Sequence, residues 1–154
     1  MKQSLLLLIS LLSLILLITC HTKKSEPKPS SSLPSSAVTF QGTSYNFITS
    51  SVSSGNDFEL SGISNKFATS SIIVLFPNGK PAADSYLINS TKSKDVSIQF
   101  TDSTGVQWFA DSNSVKLNVS ISSNADVFVS FSNVIFTQFQ HDSITTIASG
   151  VVSE

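Results

Sequence analysis

The chain has 154 residues with nine lysines, no arginine, ten acids and a single cysteine, and only 12% of it is charged, which is room for one domain of ordinary size. From Ala37 onward five lysines face nine acids, so there is no basic stripe to displace counterions from phosphates, and nucleic acid is excluded as a partner. The lone Cys20 excludes an internal disulfide, and the lack of arginine removes the bidentate fork that carboxylate and phosphate sites usually exploit.

Met1-Lys2-Gln3 is a short positive start, and Ser4 to Ile18 then runs through leucine and isoleucine, broken only by Ser10 and Ser13. A run of that length suits the apolar core of a signal peptide and is short for a membrane-spanning helix, which needs about 20 apolar residues. Ordinary cleavage wants small residues, yet the first alanine of the chain is Ala37. What closes the run is Leu17-Ile18-Thr19-Cys20. This resembles the lipobox of bacterial lipoproteins, with Thr19 where Gly, Ala or Ser is usual. The resemblance implies a signal peptide over residues 1–19 and a mature protein beginning at Cys20, diacylated on sulfur. Two acyl chains, at about 0.8 kcal/mol per buried methylene, make a permanent anchor. The competing reading is an uncleaved signal anchor with an incidental cysteine. It is the weaker one, because Cys20 stands at the boundary between apolar run and polar segment.

Residues 20–36 are expected to be the lipidated cysteine and its tether. The segment from His21 holds three prolines, many serines and one sizeable apolar side chain, Leu33. Such a stretch buries too little surface to offset its ordering entropy, and its prolines favour extended conformations.

Residues 37–154 are expected to form an all-β domain, an antiparallel sandwich of about eight or nine strands, with a small closed barrel as the alternative. The features are period-2 runs: Val96, Ile98 and Phe100; Val115, Leu117, Val119 and Ile121; Val127, Val129 and Phe131. Ile72-Ile73-Val74-Leu75-Phe76 is apolar throughout and reads as a central strand buried on both faces. Turn signals fall between the runs: Ser53-Ser54-Gly55-Asn56, Pro77-Asn78-Gly79-Lys80, Asp102-Ser103-Thr104-Gly105 and Ser123-Asn124. Near Asn133 the alternation slips before Ile135 resumes it, which either a bulge or an exposed Phe128 would explain.

Few residues carry chemistry. His141-Asp142-Ser143 holds the letters of a catalytic triad, but neighbours in a loop point different ways, and a turn before the last strand is the better reading. His141 is the only histidine after the tether, so a histidine-based metal cluster is not expected. Asp57 and Glu59 share a strand face, where paired carboxylates would bind calcium or serve acid–base catalysis; a solvated face is the plainer reading. Asp102, Asp111 and Asp126 have turn-like settings that favour local hydrogen bonds. Trp108 and Tyr86 are candidate sugar-stacking rings, but Trp108 shares a face with Val106 and Ala110 and reads as core. Phe109, on the other face with Gln107 and Asp111, is the expected exposed aromatic.

The lipoprotein start, the short Ser/Pro tether, the opening Val38-Thr39-Phe40-Gln41-Gly42-Thr43, the Ile72–Phe76 segment with Pro77, and the closing runs from Val127 to Ser132 and Ile144 to Val152 are together similar to small uncharacterised lipoproteins of Bacteroidota. Their last strands read Gly-x-Phe-x-Phe and Ile-x-x-Gly-x-Phe; here Val127 replaces the first glycine and Val152 the last phenylalanine. The resemblance implies a β-sandwich and an outer-membrane anchorage facing the periplasm or the cell surface. It brings no catalytic residues. Asp102-Ser103-Thr104 and Asp142-Ser143-Ile144 also resemble the O-glycosylation acceptor of that phylum. The expected function is a non-enzymatic envelope module, without cofactor, that binds a protein or a glycan. The alternative is a carbohydrate-active enzyme using carboxylates.

Overall fold

The alternating segments all become strands. The computed structural model describes residues 35–88, 95–111 and 115–154; the expected signal peptide, Cys20 and the tether up to residue 34 lie outside them. Ten strands follow in chain order: β1 (Ala37–Phe40), β2 (Thr43–Ser54), β3 (Asp57–Ser64), β4 (Ser71–Phe76), β5 (Ser85–Leu87), β6 (Ser97–Thr101), β7 (Gln107–Ala110), β8 (Lys116–Ile121), β9 (Val127–Gln138) and β10 (His141–Ser153).

All of these strands pair antiparallel, and the all-β expectation takes its barrel form. The order β10-β1-β2-β3-β4-β6-β7-β9 closes on itself because β10 also pairs with β9, giving a closed ring of eight strands. β8 adds to the first part of β9, and β5 adds to β8, outside the ring.

Inward residues fill the barrel. Phe40 and Phe100 stack at 4.4 Å inside it, ringed by Trp108, Phe136, Tyr45 and Phe47. An eight-stranded barrel is just wide enough for side chains to fill, and aromatics do so here. The outer wall is different. One rung runs Ser50–Ser61–Ile73–Gln99–Phe109–Thr137–Thr145 across seven strands. Ile73 and Leu75 lie on this wall and are half-buried, so β4 is buried on one face, not two. A closed barrel has one interior, and an outward isoleucine there is simply a good strand former.

The slip near Asn133 is a bulge. Ala148 pairs with Val134 but Gly150 with Phe131, so β9 carries an extra residue at Ser132 and Asn133. Asn133 takes the left-handed φ of 54° that asparagine tolerates better than most residues. The bulge reverses the phase. Val134 and Phe136 face the core, while Ile135, expected inside, faces solvent.

Register also fixes which loops share an end. Phe40 pairs with both Thr43 and Ala148, which puts the β1–β2, β6–β7 and β9–β10 turns at one end. Ala37 pairs with Val151, which puts Ser36, the β2–β3 turn and Glu154 at the other. Ser36, expected as the last tether residue, belongs to the barrel. Its carbonyl accepts the Phe47 N–H at 2.9 Å, and its hydroxyl accepts the Ser153 N–H at 2.9 Å. At Gly150, β1 and β10 touch so closely that a Cβ would stand 2.6 Å from the Ala37 carbonyl oxygen.

Candidate functional site

Because Phe40, Phe100 and their neighbours occupy the interior, a ligand must meet the outside of the barrel. One concavity there is a groove of about 680 Å³ on the outer wall, between β7 and the β9–β10 hairpin. Phe109 and Phe139 supply its rings, with centroids 5.6 Å apart and planes inclined at 58°. Asp111, Thr137, Gln138, Gln140 and Asp142 complete the lining.

Local geometry explains each position. Phe109 lies opposite Thr137 in the outer rung, and the Phe139 N–H donates to the Gln107 carbonyl at 2.9 Å. That bond carries the hairpin tip across the top of β7. Phe139 is 51% exposed, while Phe109 beneath it is half-buried. Asp111 is held by its own N–H, which donates to the Ile135 carbonyl at 2.9 Å. Gln140 closes the hairpin with a φ of 67°, a left-handed conformation that costs a side-chain-bearing residue about 1–2 kcal/mol. Beyond it β10 leaves register. His141 pairs with Gln138 and Thr145 with Thr137, so Asp142, Ser143 and Ile144 bow out of the ladder and Asp142 reaches the groove.

The other candidates scatter. His141, Asp142 and Ser143 begin β10 instead of forming the expected turn, which is Phe139 and Gln140; His141 and Ser143 are exposed outside the groove lining. Asp57 and Glu59 face outward opposite Ser54, Val52 and Leu75, so no third carboxylate is brought to them by register. Among the described residues no three acids, histidines or cysteines come together as a metal cage. Tyr86 is half-buried, edge-on to Phe76 at 5.5 Å, with its hydroxyl donating to the Ala82 carbonyl. Ser103 and Ser143, the glycosylation-like serines, are both exposed.

Trp108 is core, and Asp102 is the reason its indole tolerates burial. The Trp108 Nε1–H donates to Asp102 Oδ2 at 2.9 Å. Asp102 Oδ1 accepts the Thr104 hydroxyl at 2.6 Å, the Thr104 N–H at 2.8 Å and the Val106 N–H at 3.1 Å. Burial pushes the Asp102 pKa up, but these donors outweigh it and hold the carboxyl below its ordinary range. Asp102 therefore caps the β6–β7 turn and is not free for chemistry. Asp126 likewise ties its own hairpin through Ser122.

Glu154 plays a matching part at the far end. Its carboxylate accepts the Ser51 hydroxyl, the Val127 N–H at 3.1 Å and the Lys80 ammonium at 3.0 Å. Burial raises its pKa; those three partners lower it further than burial lifts it, to below the usual range.

Phe109 was legible as the outward aromatic. Phe139, Gln140 and Asp142 were not, because their convergence depends on the three-residue excursion of β10. The one available signal was an aromatic, Phe139, following the outward Thr137 at strand spacing. No family model, no curated protein and no solved structure matches this chain.

Proposed function

We propose that the protein is a lipid-anchored cell-envelope binding module, held in the outer membrane through a diacylated Cys20, with the β7/β9–β10 groove as its binding site. The observation that carries the reading is the position of that groove. It opens beside the hairpin turn at the barrel end opposite Ser36, where the chain enters the fold. Phe109, Phe139 and the groove carboxylates thus lie at the barrel end opposite Ser36, the residue from which the tether would run. The outer wall mixes hydroxyls and amides with exposed apolar side chains such as Ile48, Ile63, Ile135 and Ile147, around an interior filled by aromatic rings.

The test is retention. Immobilised full-length protein is expected to hold back material from a detergent-solubilised envelope fraction. Phe139→Ala should lose that material, and Asn56→Ala, at the opposite end, should keep it. Equal retention by all three proteins would refute the groove. Asp111 and Asp142 lining one groove favour a second reading, the carboxylate-dependent carbohydrate-active enzyme. It would require product formation that Asp111→Asn or Asp142→Asn abolishes without loss of retention.

A further inference from the structure

We infer that the occupant of the groove is a neutral glycan, with pyranose rings resting on Phe139 and Phe109 and their hydroxyls held by Gln138, Gln140, Asp111 and Asp142. This rests on the groove being the binding site, as proposed above.

A sugar ring has two chemistries at once: apolar faces of C–H bonds and a rim of hydroxyls that both donate and accept. The groove offers both in one place. Its rings are two facets inclined at 58°, which suits successive sugar units turned relative to one another and not a single flat ligand. Its polar groups divide the work. Side-chain amides donate and accept, and carboxylates accept from two donors each, so a polyol can be satisfied without any charge of its own. At about 680 Å³ the open groove exceeds what a single ammonium group would fill.

Charge narrows the choice. Among the described residues the lining holds two carboxylates and no cation, which disfavours phosphates, uronates and other anions. Gln140 adds a geometric argument. Glycine would relax its left-handed φ of 67°, yet a long amide side chain stands there and faces the groove.

The test uses the same full-length protein and envelope fraction, divided into untreated, periodate-oxidised and protease-digested portions. Periodate cleaves vicinal diols and spares most peptide bonds. The inference predicts that retention falls about tenfold after periodate and about tenfold in Phe139→Ala, equivalent to about 1.4 kcal/mol. It predicts a smaller loss in Gln140→Ala, no change after protease, and no weakening between about 0.1 M and 1 M salt. Thermal midpoints of both variants should stay near that of the parent, since both side chains are exposed. Retention that survives periodate, disappears with protease, or weakens steeply with salt and in Asp111→Asn overturns the glycan and leaves the groove standing. Retention unaffected by Phe139→Ala removes the groove and the glycan together.

Discussion

Replacing Asp102 by asparagine should destabilise the barrel by about 2–4 kcal/mol, although it changes one atom. Asp102 Oδ1 takes three donors from the turn, and Oδ2 takes the indole N–H of Trp108. An amide has one oxygen. Its better orientation keeps that oxygen on Thr104 and Val106, and so sets an NH2 group against the Trp108 N–H in a place where Trp108 is 4% exposed. A buried donor left without an acceptor costs about 1–3 kcal/mol, and the remaining bonds lose their charge assistance. Trp108→Phe removes the orphaned donor. In that background Asp102→Asn should cost about 1–2 kcal/mol less, a coupling read from a double-mutant cycle by urea unfolding. Circular dichroism must follow the unfolding, since Trp108 is the only tryptophan. The pH dependence has a fixed sign. The folded-state pKa of Asp102 is lowered, so its contribution is complete above the unfolded value near 3.9 and is lost as pH falls through the folded value. Parent and variant should therefore converge below about pH 4. A cost under about 0.5 kcal/mol, or an additive cycle, would refute the proposed role of the carboxylate.

Glu154→Gln should remove another part of the acid sensitivity, again below about pH 4.3, because its folded pKa is also lowered; acid titration of the thermal midpoint measures it. Gly150→Ala should cost about 1–3 kcal/mol in urea, as a Cβ 2.6 Å from the Ala37 carbonyl forces β1 away from β10. Phe100→Ala should cost about 3–5 kcal/mol by the same measurement, since its ring is shared by Phe40, Tyr45 and Phe47.

What the sequence revealed, and what it hid, follows from range. Alternation in β6, β8 and the start of β9 is local, and each inward residue was readable from its neighbours. Closure is not local. It depends on Ala37 meeting Val151 and on β10 pairing on both edges, and no short window carries that. The same dependence misled the reading of Ile73 and Leu75, which face outward and are only half-buried. Asn133 did mark a break, but only pairing with β10 shows that it reverses the phase and turns Ile135 out. At the groove, Phe109 was readable because β7 alternates. The Phe139–Gln140 turn lacks glycine and proline, and the excursion at Asp142 is imposed by register with β9, so the partners of Phe109 left no local trace.

The proposed function requires that the barrel be tethered at Cys20 and work from a membrane. Intact mass and membrane fractionation of the native full-length protein beside Cys20→Ala test it most directly. Lipid anchoring predicts a mature species beginning at Cys20 with added diacylglycerol mass, sedimenting with membranes, and a variant that is neither acylated nor processed at that site. An unprocessed N-terminus of unmodified mass, with identical membrane attachment in both proteins, would contradict it.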